Sequence, residues 1–149
     1  MPSKTQKTKS ASKPKTALYT HSVGRRKRAV ARIRLATRKT KDDVTLIVNG
    51  KLAADYFRVP GLEAICTNPL KTTNTLDKFI ATVKVLGSGP VSQAQAVSLG
   101  LARALVKVDE THKLALKKAG LMTRDPREKE RRKIGTGGKA RRRKQSPKR

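Results

Sequence analysis

Tryptophan is absent from this 149-residue chain, and Tyr19, Tyr56, Phe57 and Phe79 are its only aromatic residues. So small a set argues against the ring platforms on which single-stranded bases stack, and points any nucleic-acid binding to phosphates and shape. Cysteine occurs once, at Cys66, so no intrachain disulfide framework can form and a reducing compartment is the natural setting. A lone cysteine of this kind reads as a small buried apolar side chain rather than a reactive thiol. No apolar run reaches the roughly 18 residues that a membrane-spanning helix requires.

Acids are scarce as well, ten against 37 Lys and Arg, for a net charge of +27. The excess is uneven. Residues 1–34 carry eleven bases and no acid, residues 121–149 thirteen bases and three acids, and the longer stretch between them thirteen bases and seven acids, a net of only +6. Self-repulsion on that scale destabilises a compact state until a polyanion neutralises it. An anionic membrane surface would need an apolar insertion face that the basic ends lack, so nucleic acid is the expected partner.

Catalytic chemistry is missing too. His21 and His112 are the only histidines, without metal-ligand neighbours at usable spacing, and the mid-chain acids are scattered rather than paired. Gly87-Ser-Gly-Pro90 precedes a helix start and resembles a phosphate-cradling loop. It lacks the Gly-Lys-Ser/Thr ending of a P-loop, and Gly138-Lys139 is followed by Ala140 with no strand before it. Nucleotide hydrolysis is therefore not expected, although free N–H groups of the Gly87 loop can hold an RNA phosphate.

What is present divides by periodicity. Residues 1–18 are rich in Lys, Ser and Thr without any repeat, which predicts a disordered basic extension. A transit peptide is the alternative, against which stands the absence of Arg before Arg25. Residues 19–130 hold the periodic segments of one globular domain. Ala29, Ala31, Ile33 and Leu35 alternate with Val30, Arg32 and Arg34, predicting a half-buried strand with arginines on its outer face. Arg25, Arg26, Lys27 and Arg28 run directly into it, and together they form an electrostatic footprint. Val44–Val48 is a second strand, Asn49-Gly50 a turn, and Phe79, Ala81, Val83 and Val85 mark a third strand. One helical turn is expected at 52–57 and a short helix at 62–66.

The main helix is expected over 92–108, with Ala94, Val97, Leu101, Ala102, Leu105 and Val108 on one face and a Ser92–Gln95 capping box. Gly100 within it costs about 1 kcal/mol against Ala, so close packing on a sheet is its expected reason. A second helix spans 110–119 with Gly120 as its cap, and Asp125-Pro126-Arg127-Glu128 has the form of a third helix start. Residues 131–149 carry ten bases, no acid and the glycines of 135–138, predicting an extended tail that orders on RNA.

These pieces resemble the bacterial-type small-subunit ribosomal protein nine family. The likeness rests on Gly24-Arg-Arg-Lys27 with Val30-Ala-Arg32, Asn49-Gly50, Tyr56-Phe57, Gly100-Leu-Ala-Arg-Ala-Leu105, Leu116-Lys-Lys-Ala-Gly120 and Thr123-Arg-Asp125. It continues through Arg127, Glu130, Arg131, Ala140-Arg-Arg142 and the final Lys148-Arg149. Ser146-Pro147 stands where the family usually has Phe-Ser.

The resemblance implies a fold of the α/β class (an α+β two-layer arrangement). It would be a small mixed sheet with helices on one face, ribosomal-protein-S-five-domain-two-like with a left-handed βαβ crossover, plus an extended basic C-terminal tail. It further implies a structural, non-enzymatic role without cofactors, in the small-subunit head of a cytoplasmic rather than an organellar ribosome. The partners would be ribosomal RNA, neighbouring head proteins and peptidyl-site transfer RNA. Ribosomal RNA contacts are expected from Arg25, Arg26, Lys27, Arg28, Arg32 and Arg34. Further contacts fall to Arg124, Arg127, Arg131, Arg132 and Lys133, and to Lys139, Arg141, Arg142, Arg143 and Lys144. Lys148 and Arg149 would reach the transfer RNA. A free chromatin-like basic protein is the rival reading, sharing the charge without needing the patterned middle domain.

Overall fold

Alternation of small apolar and basic side chains along 29–37 builds the central strand of a sheet, seen in a computed structural model that describes residues 19–38, 45–129 and 131. In β2 (Ala29–Thr37), Ala29, Ala31, Ile33 and Leu35 are buried while Arg32 and Arg34 are exposed. β1 (Tyr19–Arg26) pairs antiparallel with one side of it and β5 (Phe79–Leu86) with the other. β5 repeats the alternation, with Ala81, Val83 and Val85 inward and Thr82, Lys84 and Leu86 outward. β3 (Leu46–Val48) adds to β5 in parallel, and β4 (Lys51–Leu52) closes the mixed sheet in the order β1-β2-β5-β3-β4. Val44, expected in the second strand, lies outside the described residues.

Asn49 and Gly50 both take positive φ, +49° and +81°, the geometry of the two-residue turn that their sequence favours. The Asn49 side chain also accepts from Val85 N–H at 2.9 Å and donates to Val85 C=O at 3.0 Å, pinning the β3–β4 hairpin to β5. β1 is not foreshadowed by hydrophobic alternation. Its buried positions are Ser22 and Gly24, because a helix passes too close for anything larger.

That helix is α3 (Pro90–Val108), packed on β1, β2 and β5. It begins two residues earlier than the Ser92 start expected from the capping-box spacing. Gly89 is the N-cap and Pro90, with no N–H to satisfy, fits the first helical position. The Ser92–Gln95 box does not form: Ser92 is buried in the first turn and Gln95 is bonded to Arg26. Gly100 has the expected reason. A Cβ there would stand 2.5 Å from Ile33 Cδ1, and a Cβ on Gly24 would collide with the Ala96 carbonyl. Ser22 Oγ donates to Gly100 C=O at 2.6 Å across the same contact.

α1 (Ala53–Tyr56) is the expected single turn. α2 (Leu62–Thr72) runs well beyond 66 because Leu62, Cys66, Pro69 and Leu70 form a buried stripe, and it packs against α3. α4 (His112–Lys118) ends as its sequence suggests. Gly120 at φ +71° donates to Lys117 C=O and Leu121 N–H to Leu116 C=O, both at 3.0 Å, the paired bonds of a Schellman cap. The helix expected at Asp125 is absent, and residues 124–129 run without regular structure.

Candidate RNA interface

The outer face of the sheet carries charge in rows. Cross-strand register places Arg32 between Val23 and Lys84, and Arg34 between His21 and Thr82. Arg34 lies 5.3 Å over the Tyr19 ring, a cation–π contact that holds its guanidinium against the face. Arg32 and Lys84 are exposed like charges on directly opposed residues, an arrangement that costs the sheet stability unless an anion comes between them. Lys84 was not among the expected contacts, although the same alternation that places Val83 and Val85 inward turns it outward.

Lys27 and Arg28 form the β1–β2 turn, Lys27 at φ +49°. The Arg28 side chain is largely exposed, and Glu128 meets its Nε at 3.4 Å. Gly87 packs on the Arg28 carbonyl, so the loop leading into α3 lies beside this basic turn.

Arg26 is placed differently. Its side chain is only 11% exposed and is committed within the protein. Nη2 meets Asp125 Oδ2 at 2.9 Å, Nε donates to Gln95 Oε1 at 2.8 Å and Nη1 to Arg127 C=O at 2.6 Å. Asp125 in turn accepts the Arg127 backbone N–H at 2.9 Å and its guanidinium at 2.9–3.2 Å. The Arg127 side-chain bonds first, then its N–H and the charges of Arg127 and Arg26, hold the Asp125 carboxyl down at about 2.

This explains the missing helix. Asp125 makes the side-chain bond of a cap, but Arg26 occupies backbone carbonyls that a following turn would need. Residues 121–129 instead form a strap fastened to the hairpin by Arg26. Beneath the strap is a cleft of about 200 Å³, lined from β1, α2, α3 and the strap itself.

Of the remaining expected contacts, Arg25, Arg124, Arg127 and Arg131 are exposed. Arg132, Lys133, Lys139, Arg141, Arg142, Arg143, Lys144, Lys148 and Arg149 lie outside the described residues. Two cations on α3 serve the fold: Arg103 donates to Val23 C=O at 3.0 Å and Lys107 to His21 C=O at 2.8 Å, covering the free edge of β1. Cys66 is fully buried, and burial, with Glu63 nearby, pushes its thiol up to about 12, so it packs and does not react. No cluster of His, Cys, Asp or Glu able to hold a metal exists among the described residues, and none of their helices is long and apolar enough to cross a membrane.

A sheet face of exposed cations beside a basic turn suits a polyanion bound by surface contact, which is the layout of an RNA-binding scaffold protein. The model of the ribosomal protein S9/S16 family matches residues 24–149, and the chain belongs to that family. It is thus a structural protein of the small ribosomal subunit, bound to RNA among other ribosomal proteins.

Proposed function

We propose that this protein sits in the head of a bacterial-type small subunit in the cytoplasm, gripping ribosomal RNA through its hairpin and outer sheet face while its tail reaches peptidyl-site transfer RNA. The observation that carries the reading is the set of exposed cations on one surface, Lys27, Arg28, Arg32 and Arg34 joined by Lys84. Arg26 holds the strap in place, so the phosphate contacts are assigned to its neighbours.

The tail belongs to the same reading. Nineteen residues, fully extended, span at most about 60 Å, several times the roughly 13 Å radius of gyration of a domain this size. Ten bases in residues 131–149 would be held along the way by phosphates. Pro147 lacks an N–H, which leaves Lys148 and Arg149 as the natural contacts at the tip. Deleting these two residues should leave subunit assembly intact and weaken transfer RNA binding in the peptidyl site. The loss should be similar for different transfer RNAs, because phosphate contacts carry no sequence. Transfer RNA affinity on purified subunits with and without the two residues, at one salt concentration, tests this. Equal affinities would reduce the tip to a solvated charge run.

A further inference from the structure

The cleft under the strap has a composition that the phosphate-binding face lacks. Its apolar wall is Ile65 of α2, Leu99 of α3 and Leu121 of the turn after α4. Ile65 is 37% exposed, a large apolar side chain left open at the mouth of the cleft. Gln95 and Ser98 of α3 add polar groups to the lining. Gln95 Oε1 accepts from Arg26 Nε, which fixes the amide so that its NH₂ donors are free among the described residues. Ser98 has no hydrogen-bond partner among them either. Arg25 and Arg124 stand exposed at the rim, again without partners among the described residues.

We propose that this cleft receives one nucleotide, extruded from the ribosomal RNA, with its base between the apolar wall and the rim arginines and its phosphate on Arg124. A phosphate alone would gain nothing from Ile65, Leu99 and Leu121, and about 200 Å³ is too little for a helix or strand of a partner protein. A single ring system with polar edges suits a site that combines apolar packing, a guanidinium plane and fixed donors. The oriented Gln95 amide selects a base edge that presents an acceptor. Arg26 and Asp125 act as positioning residues, since the strap that roofs the site is fastened by them. The proposal rests on the RNA binding of the family but not on the reach of the tail.

Ile65→Trp fills the cleft from an exposed position and leaves every rim cation in place. The full-length chain is titrated into small-subunit particles depleted of it, at several salt concentrations, and base-specific chemical modification of the RNA is mapped on the products. Filling the cleft should weaken binding roughly tenfold, the scale of one lost base contact, without altering the salt slope. One nucleotide protected by the wild-type chain should become reactive. Arg124→Gln should instead lower the slope by about 0.7–0.9. A photocrosslinker at position 65 should join to RNA. Unchanged affinity with an unchanged modification map overturns the proposal, as does a crosslink from position 65 to a neighbouring protein. A wild-type chain whose affinity ignores salt would overturn the phosphate-gripping reading, whereas the modification map reads the cleft by itself.

Discussion

Gly24 and Gly100 let a strand and a helix touch backbone to backbone, and the two are not equally replaceable. Gly24→Ala drives a methyl group into the Ala96 carbonyl and the Gly100 backbone, neither of which can rotate away. Overpacking of this kind costs about 1–3 kcal/mol or more. Gly100→Ala meets mainly the flexible end of Ile33 and recovers about 1 kcal/mol of helix propensity. Urea unfolding should therefore show the larger loss for Gly24→Ala, with m unchanged for both. Gly100 was legible in the sequence because a glycine inside a helical pattern demands a reason. Gly24 was hidden in a run of cations, its partner far along the chain. Arg26 was hidden in the same way: charge marks Arg25 to Arg28 alike, and only the fold shows which one is internally bonded. Asp125 adds a pH dependence. Its carboxyl is held at about 2 against an ordinary 3.8, so its bonds contribute fully above that ordinary value and are lost as pH falls toward 2. Amide signals of residues 124–128 should shift over that window while those of β2 stay fixed, and Asp125→Asn should abolish the transition.

At the scale of elements, β2 and β5 present the outer face on which the like charges of Arg32 and Lys84 oppose each other. Replacing both with Gln has effects of opposite sign. The free protein should gain about 0.2–1 kcal/mol, because a repulsive cross-strand pair disappears. RNA binding should weaken, and the slope of log K against log salt should flatten by roughly 1.4–1.8. Thermal melting and a salt titration read the two effects separately. Arg26→Gln should do the reverse, lowering stability while leaving the slope nearly unchanged, since that side chain faces protein. Elements with a clear period or a cap were readable from sequence: β2, β5, α3, the Asn49-Gly50 turn and the Gly120 cap. β1 was not, because its inward residues are small and polar to suit α3. The Asp125 helix was misread because a residue from the other end of the domain takes the carbonyls it would need.

For the whole molecule, charge and packing pull against each other. A net +27 on 149 residues disfavours the compact state, while the apolar interior formed by β2, β5, α2 and α3 favours it. Added salt screens the repulsion, so the free protein should become more stable from low to moderate ionic strength. Over the same range its affinity for RNA should fall. Melting temperature and binding constant measured in one buffer series should therefore run in opposite directions. A melting temperature that falls with salt would mean that ion pairs such as Arg26–Asp125 outweigh the repulsion.

The Arg26–Asp125 contact also sets an order of events during synthesis. The two ends of the strap interaction lie 99 residues apart in sequence. At the usual pace of translation, the arginine leaves the ribosome on the order of 5–20 s before its partner. Through most of that interval the β1–β2 hairpin can pair while α3 has yet to emerge, so Arg26 has neither Gln95 nor Asp125 to bond and the cleft is incomplete. A nascent chain of this protein is thus briefly more adhesive toward RNA than the finished one. Maturation of its binding surface is completed only by the emergence of Asp125.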